Sequence, residues 1–263
     1  MGNTSGQPVG LRSVGAALEL LRLLTDAEGP IRLAEAADHL AVAPSTAHRL
    51  LTTFVIRGFA MRSPTGHGYR RGPELFRATR RRPGELVLLR DVAHPFLEQV
   101  SRETGETAHL AILDGFEVIG IDHVESVQTV IHRHTIGSRG SLHASSAGLA
   151  LLAHSPEVAE ALIAVGLARH HETAADGRSL RLSLEKVRQR GYAVNDRLWH
   201  AESAGVAAPI LDSNGEAVAA LGISGPSSRL NRRERLDRLG RLARRVAGEI
   251  STRLPDPAAH PHR

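Results

Sequence analysis

The side chains best suited to act on another molecule form a short run between positions 45 and 52. They are small or forked hydrogen-bond donors that recur three and four residues apart. Donors of this kind fit the base edges and phosphates of a DNA major groove. The run consists of Ser45, Thr46, His48, Arg49 and Thr52. This spacing predicts one donor-rich helix face.

A second group of side chains would suit hydrolysis. His143 and Ser145 have the residue types of a base and a nucleophile, although serines before an apolar helix more often cap it. The chain lacks the G-x-S-x-G, G-x-x-x-x-G-K-[ST] and H-E-x-x-H motifs. His132 and His134 would share a strand face, but no third ligand follows at a matching spacing. We therefore predict no catalytic residue, metal site or cofactor, and keep a small hydrolase using His143 and Ser145 as an alternative.

The elements around the donor run predict a helix-turn-helix and a wing. Apolar residues at three- and four-residue intervals predict helices over 14–24, 33–40 and 44–57, and Pro44 suits the first position of the third helix. A two-stranded ribbon is predicted over 59–71. The arginines expected on this wing, where they reach phosphate or the minor groove, are Arg62, Arg70 and Arg71. The alternative is a plain helical bundle with a solvated basic face.

Charge and composition narrow the class of protein. Residues 1–82 carry a net charge of +6, residues 83–228 carry −7, and residues 229–263 carry +6. The absence of cysteine excludes disulfides and thiolate metal sites, and 3% aromatic residues argue against binding of single strands by stacking. No apolar run approaches the roughly 18 to 20 residues that span a bilayer. We expect a soluble cytoplasmic protein with no membrane partner.

Beyond residue 90, helical and strand patterns alternate, which predicts a mixed sheet flanked by helices. The predicted strands are 106–113, 117–123, 127–134, 192–195, 206–212 and 217–224. The predicted helices are 89–103, 144–153, 157–165, 179–190 and 231–254. The domain boundaries we expect are 1–72 for the winged helix-turn-helix, 73–90 for a linker helix and hinge, 91–254 for the α/β domain, and 255–263 for a flexible tail.

Seven short motifs in order resemble the IclR family of bacterial transcriptional regulators. The resemblance extends from about Arg12 to Leu254. The motifs are Arg12-Ser13-Val14, 45–51 (STAHRLL), 105–111 (GETAHLA), 142–148 (LHASSAG), 191–196 (GYAVND), 206–210 (VAAPI) and 223–226 (ISGP). The resemblance implies an α+β protein with an N-terminal winged helix-turn-helix and a C-terminal mixed α/β, GAF-like domain that binds a small effector.

The resemblance also suggests which residues contact the effector. The matching positions are Ser146, Ala147, Asn195, Ser203, Gly205, Gly222 and Ser224. Small residues there leave room, and serine and asparagine donors suit a carboxylate. The family often has lysine at Leu149 and an acid at Asn195, and sometimes cysteine or serine at Gly205 and Gly222. We therefore expect a roomier, less polar pocket for an aromatic or longer acyl acid.

Three functions follow from these observations. The first is a metabolite-responsive regulator that binds double-stranded operator DNA, expected to be a repressor of an adjacent catabolic operon. The resemblance implies a homodimer that pairs into a tetramer on DNA. The second is the hydrolase described above. The third is a non-specific nucleic-acid or partner-binding module that uses the basic C-terminal helix.

Overall fold

In a computed structural model, the chain divides into two units with separate cores, with the boundary between Thr79 and Arg80. The structure describes residues 11–27, 29–63, 66–78, 83–129, 136–167, 176–196, 202–230 and 232–255. The boundary lies inside the segment 73–90 that the sequence predicts to be a linker and hinge.

The N-terminal unit is a three-helix cluster followed by a two-stranded ribbon. Its elements are α1 (Arg12–Asp26), α2 (Leu33–His39), α3 (Pro44–Ile56), β1 (Ala60–Arg62), β2 (Tyr69–Arg71) and α4 (Pro73–Ala78). Leu20 and Leu24 of α1, Ala36 of α2 and Leu51 of α3 are buried together in its core. Each helix therefore has one apolar face directed inward, which is the periodicity visible in the sequence.

The turn between α2 and α3 is closed by paired backbone hydrogen bonds. Ala41 adopts a φ of 49°, in the left-handed region. Its N–H donates to the carbonyl of Asp38, and the N–H of Val42 donates to the carbonyl of Ala37. This arrangement is a Schellman motif, which usually has glycine at the left-handed position. The turn fixes where α3 begins relative to α2.

The wing is anchored to the segment that precedes α2. β1 and β2 are antiparallel, with Arg62 opposite Tyr69, and Tyr69 also forms a β-bridge with Ile31. Gly68 has a φ of 98°, and a Cβ there would lie 2.6 Å from the carbonyl oxygen of Ile31. Glycine is therefore required where the ribbon approaches this segment.

The C-terminal unit contains helices on both faces of a sheet. Its elements are α5 (Pro83–Thr104), β3 (Thr107–Asp114), β4 (Glu117–Val124), β5 (Arg139–Ser141), α6 (Ser146–Ala153), α7 (Pro156–Val165), α8 (Gly177–Arg190), β6 (Ala193–Asp196), β7 (Ser203–Leu211), β8 (Ala217–Pro226), α9 (Ser227–Leu230) and α10 (Arg233–Ser251). The described strands form a six-stranded sheet in the order β5-β4-β3-β8-β7-β6.

The prediction of a mixed sheet is wrong, because every neighbouring pair of these strands is antiparallel. The helices α6 to α8 connect β5 and β6, which are opposite edges of the sheet. An alternation of helices and strands along the sequence does not show whether a helical segment leads to a parallel neighbouring strand or to the opposite edge of an antiparallel sheet. The predicted strand 127–134 also fails over 127–129, where Val127 is exposed, while 130–135 lie outside the described residues.

The two faces of the sheet differ in chemistry. Leu110, Val206 and Ile223 belong to the large apolar cluster that β3, β7 and β8 share with α5 and α10. Residues adjacent to these along each strand point to the opposite face. That second face is packed against α6, whose eight residues are all buried.

Among the helices of the described ranges, no single one is long and apolar enough to cross a membrane. The bent pair α6 and α7 reaches that length and composition only when the two helices are counted together.

Candidate DNA interface and candidate effector site

One face of α3 is open to solvent and carries the predicted donors. Ala47 and Leu51 are fully buried, so the opposite side of the helix points outward. The structure exposes Ser45, Thr46, His48 and Arg49 and leaves Thr52 half-buried. The run predicted from spacing therefore lies on one exposed helical surface.

A recess of about 560 Å³ lies between α3, the start of α2 and the wing. It is lined by Arg32, Leu33, His48, Arg62, Gly66, His67, Gly68 and Tyr69. The structure thus brings two predicted DNA-binding residues, His48 and Arg62, to one recess. It adds Arg32 and His67, which the sequence reasoning missed because neither lies on the donor face of α3 or on a predicted wing strand. These basic side chains suit phosphate contacts.

The three predicted wing arginines differ in environment. Arg62 is exposed, with its guanidinium carbon 5.4 Å from the centroid of the Tyr69 ring, a cation–π distance. Arg71 is half-buried and donates from Nη2 to the carbonyl of Ala27 at 3.3 Å. The Nε of Arg70 is buried and has no hydrogen-bond partner among the described residues. Arg62 is therefore the best placed of the three for DNA, while Arg71 ties β2 to the end of α1.

In the C-terminal unit, four strands place small and polar residues in one row. Asn195 of β6 lies opposite Gly205 of β7, and Gly205 lies opposite Ser224 of β8. Ser224 in turn lies opposite Thr107 of β3. Ser224 directly follows Ile223 of the apolar core, so the row belongs to the face packed against α6. Asn195, Ser224 and Thr107 are buried. Three of the predicted effector residues therefore meet in a single row, and Ser203 lies two residues before Gly205 on the same face.

The next row contains a side chain that the sequence reasoning missed. His109 of β3 lies opposite Gly222 of β8, and a Cβ at Gly222 would lie 2.1 Å from the Nε2 of His109. A Cβ at Gly205 would lie 2.7 Å from the carbonyl oxygen of Ile223. The expectation that these two glycines leave open room is therefore wrong, because their neighbours fill the space. Strand alternation from Thr107 was the signal that would have placed His109 on this face.

Ser146 and Ala147 form the buried first turn of α6. This helix contacts β3, β6, β7 and β8, so both residues belong to the helix that covers the rows. A Cβ at Gly148 would lie 2.2 Å from the carbonyl oxygen of Leu142, so glycine lets α6 pack directly on backbone. The predicted effector residues thus come from the sheet and from the helix above it.

The geometry of the His143–Ser145 pair does not suit hydrolysis. The hydroxyl of Ser145 accepts from the N–H of Gly148 at 3.0 Å and donates to the carbonyl of Ser141 at 2.8 Å. The Nδ1 of His143 lies 3.0 Å from the hydroxyl of Ser141 instead. Ser145 is therefore the N-cap of α6.

The part of the chain that the structure describes contains no group of three histidine or acidic side chains able to hold a metal ion. His132 and His134, considered above as a ligand pair, lie outside the described residues.

An exposed donor face on the second helix of a helix-turn-helix, beside a wing, defines a DNA-binding protein of the winged helix-turn-helix class. Residues 13–64 match the sequence model of the IclR helix-turn-helix domain, and residues 86–252 match that of the bacterial transcriptional regulator IclR C-terminal domain. The chain belongs to the IclR family of DNA-binding transcriptional regulators. Its C-terminal unit is the effector-binding domain of that family.

Named relatives agree with this assignment. The chain is 36% identical over 228 residues to the HTH-type transcriptional regulator BhcR of Paracoccus denitrificans, covering 84% of this chain and 80% of the relative. It is 34% identical over 230 residues to the transcriptional repressor IclR of Escherichia coli, covering 84% and 82%. These relatives are regulators, so the comparisons give no support to the hydrolase alternative.

Solved structures have the same fold. The IclR of Thermotoga maritima superposes with a TM-score of 0.60 at 31% identity, covering 92% of this chain and 98% of that one. An IclR homolog from Microbacterium hydrocarbonoxydans, complexed with 4-hydroxybenzoate, superposes with a TM-score of 0.59 at 28% identity, covering 92% and 98%. The second structure is a family member that binds an aromatic acid.

Proposed function

We propose that this protein is a cytoplasmic repressor of an adjacent catabolic operon, and that an aromatic or longer acyl acid releases it from its operator. The main support for a response to an effector is the buried row of Asn195, Gly205 and Ser224 beneath α6. Buried hydroxyl and amide groups within an otherwise apolar layer are the usual way a ligand pocket fixes a small acid. The complex of the Microbacterium homolog with 4-hydroxybenzoate supports an aromatic acid.

The operator contacts are divided between α3 and the wing. Ser45, Thr46, His48, Arg49 and Thr52 are proposed to contact base edges and nearby phosphates. Arg62 and the neighbouring Arg70 contact phosphate or the minor groove, and Arg71 holds the ribbon in place. Arg49 and Arg62 are exposed, which supports their contact with DNA. The bond from Arg71 to the carbonyl of Ala27 supports its role in holding the ribbon.

The effector acts by shifting a population of conformers. We propose a homodimer that pairs into a tetramer on DNA, as the resemblance to the family implies. Acid bound in the C-terminal domain favours one arrangement of the two recognition helices and so changes their match to the half-site spacing. Light scattering of the protein with and without operator DNA measures the assembly directly.

The first experiment is a fluorescence-anisotropy titration against the intergenic DNA beside the protein's own gene. A scrambled duplex is the control, and two salt concentrations separate specific binding from phosphate attraction. We expect tight, saturable binding that prefers the native duplex and is weakened by 4-hydroxybenzoate or benzoate more than by acetate or pyruvate. Stronger release by the short acids would contradict the proposed effector class.

Substitution of Arg49 tests the recognition face. If Arg49 contacts a base through both guanidinium nitrogens, Arg49→Ala loses roughly 1 to 3 kcal/mol of specific binding, or about 5- to 150-fold in Kd. The matched control is Arg22→Ala, which removes an exposed arginine of α1 that pairs with Glu19. Equal losses in both variants would show that only net charge matters.

A further inference from the structure

We infer that the recess between α3, the start of α2 and the wing binds one backbone phosphate of the DNA, and that His48 and His67 take up protons when it does. Operator binding should therefore become tighter as the pH falls from 8 to 6. This coupling rests on the operator contacts proposed above, and it adds Arg32 and His67 to them.

The bridge between Ile31 and Tyr69 holds two walls of the recess together. The backbone N–H of each residue donates to the carbonyl of the other, both at 2.8 Å. Because this pairing is antiparallel, the residue after Ile31 lies beside the residue before Tyr69. Arg32 therefore lies beside Gly68, and His67 is the next residue along the turn. The bridge thus brings one arginine and one histidine to the same recess.

The other two basic side chains come from α3 and β1. His48 lies on the exposed face of α3, and Arg62 is the last residue of β1. The guanidinium carbon of Arg62 lies 5.4 Å from the centroid of the Tyr69 ring, which holds it beside the recess. Both residues line the recess together with Arg32 and His67, and all four are exposed to an approaching ligand. Two arginines and two histidines therefore surround one space.

The recess has no acid among the described residues that line it. Residues 39–73 contain no aspartate or glutamate, so α3, β1 and β2 are free of acids. On α2, Glu35 accepts from the backbone N–H of Arg32 at 2.9 Å and Asp38 is exposed, but neither lines the recess. Tyr69 is the remaining titratable residue among those that line it. A phosphate is therefore the group that would balance charge gained by the two histidines.

Proton uptake changes both the charge of a histidine and the number of its donors. A neutral imidazole has one N–H donor, whereas an imidazolium has two donors and a positive charge. Hydrogen bonds from a charged donor to phosphate are shorter and stronger than those from a neutral one. Histidine is the side chain whose charge ordinarily changes between about pH 5 and 8, and a neighbouring anion favours its charged form. Phosphate binding and proton uptake therefore strengthen each other.

Anisotropy titrations of the full-length protein at pH 8 and pH 6, at constant ionic strength, test this coupling. The probes are the native intergenic duplex and the scrambled duplex. The readout is the ratio of the Kd at pH 8 to the Kd at pH 6, which compares each protein with itself. We expect a ratio of at least ~10 on both duplexes, because each proton taken up changes the affinity by up to about tenfold per pH unit. Calorimetry in two buffers of different ionisation enthalpy counts the protons directly, and circular dichroism at both pH values checks the fold.

Four variants locate the effect. His48→Gln and His67→Gln each keep a neutral donor and should each lower the ratio by about threefold, and the double variant should remove most of it. His39→Gln is the matched control, because His39 is an exposed histidine in the last turn of α2 that does not line the recess. Arg32→Gln should weaken both duplexes and lower the slope of log Kd against log salt concentration by roughly 1, whereas Arg22→Gln on α1 should change neither.

The outcomes separate this coupling from operator binding itself. If the native duplex is preferred but the ratio stays near 1, or the double variant keeps the wild-type ratio, the coupling is refuted and operator binding stands. A ratio that rises only on the native duplex would show that the histidines contact bases, which refutes the phosphate assignment. An equal loss in His39→Gln would refute the role of the recess, because net charge alone would then be responsible. If neither duplex binds at either pH, operator binding and the coupling are both overturned.

Discussion

The buried carboxylate of Glu106 should be a principal electrostatic anchor of the C-terminal unit. Only 1% of its side chain is exposed. It accepts from Arg229 through both oxygens, with Nε–Oε1 at 3.1 Å and Nη2–Oε2 at 2.6 Å, and from the Nη2 of Arg235 at 3.0 Å. These bonds connect the residue before β3 with α9 and α10. The perturbation we propose is Glu106→Gln, which keeps the shape and removes the charge.

The size of the effect follows from these contacts. A glutamine oxygen at the Oε1 position keeps the bonds from Arg229 Nε and Arg235 Nη2, but both lose their charged acceptor. The N–H₂ group at the Oε2 position loses the third bond and faces a guanidinium. Hydrogen bonds to charged groups contribute about 1.5–3 kcal/mol each. Arg229 and Arg235 are 26% and 36% exposed and regain water. We therefore expect a loss of about 2–3 kcal/mol, below the ~3–5 kcal/mol of a fully buried pair.

Thermal and urea unfolding followed by circular dichroism measure this loss. For a unit of this size, 2–3 kcal/mol corresponds to a decrease in Tm of roughly 4 to 12 °C. The matched control is Glu160→Gln. Glu160 accepts from Arg181 in the same two-bond geometry, at 2.7 and 2.6 Å, but both side chains are about half exposed. Exposed pairs stabilise little, so this variant should remain close to the wild type. Equal losses of unfolding free energy in the two variants would refute the argument that the ion pairs of Glu106 stabilise the fold more because they are buried.

Three other predictions follow from local structure. Ala41→Gly should raise the unfolding free energy of the N-terminal unit by about 1 kcal/mol, because alanine is strained in the left-handed region. Gly58→Ala, at a φ of 75°, should lower that free energy. Thermal unfolding of both variants shows whether stability changes in these two directions. Ser145→Ala should destabilise the C-terminal unit by about 1 kcal/mol through loss of the cap on α6, and should leave background ester hydrolysis unchanged. Burial, and after it the charge of Arg188, lowers the pKa of His154. The unfolded chain therefore takes up this proton at a higher pH than the folded chain, so stability should fall as the pH drops from 7 through the ordinary imidazole range. His154→Gln should make that decline less steep in unfolding measurements across this pH range.

The N-terminal unit was largely predictable because its helices are amphipathic. α2 and α3 each bury one stripe, such as Ala47 and Leu51, and leave the other to solvent, so three- and four-residue spacing locates both. The direction of an individual long side chain was not predictable. Arg71 has the same charge as Arg62, but its contact with Ala27, 44 residues earlier in the chain, depends on how the ribbon packs.

The C-terminal unit was harder because its pairings are non-local. The short edge strand β5, with sequence RGS, has no alternation of apolar residues and was missed. It is held by pairing with β4 and by the ion pairs of Arg139 with Asp114 and Glu117. The antiparallel neighbours β3 and β8 pair residues such as Thr107 and Ser224, which are 117 positions apart in the chain, and no local pattern identifies such pairs.

The groups that pack against the glycines of the sheet could not be predicted from the sequence. Gly205 and Gly222 suggested empty space, but their missing side chains accommodate the β8 backbone and the His109 ring. Gly225 is similar, since a Cβ there would lie 2.4 Å from the Oε2 of Glu106. A glycine in a strand can mark a close approach of a neighbouring group, and only the register shows which neighbour approaches.

Glu106 contributes to the site through the position of the strands. Glu106 precedes Thr107 and packs on Gly225, which follows Ser224, so the ion cluster helps to fix the register at which Thr107 faces Ser224 and His109 faces Gly222. A one-residue slip would turn every polar group of the row into the apolar core. Glu106→Gln should accordingly lower the stability of the unit and weaken every acid that the unit binds by a similar factor. If Glu106→Gln instead weakened the binding of acids without any loss of stability, the carboxylate would act on the ligand charge and not through the register.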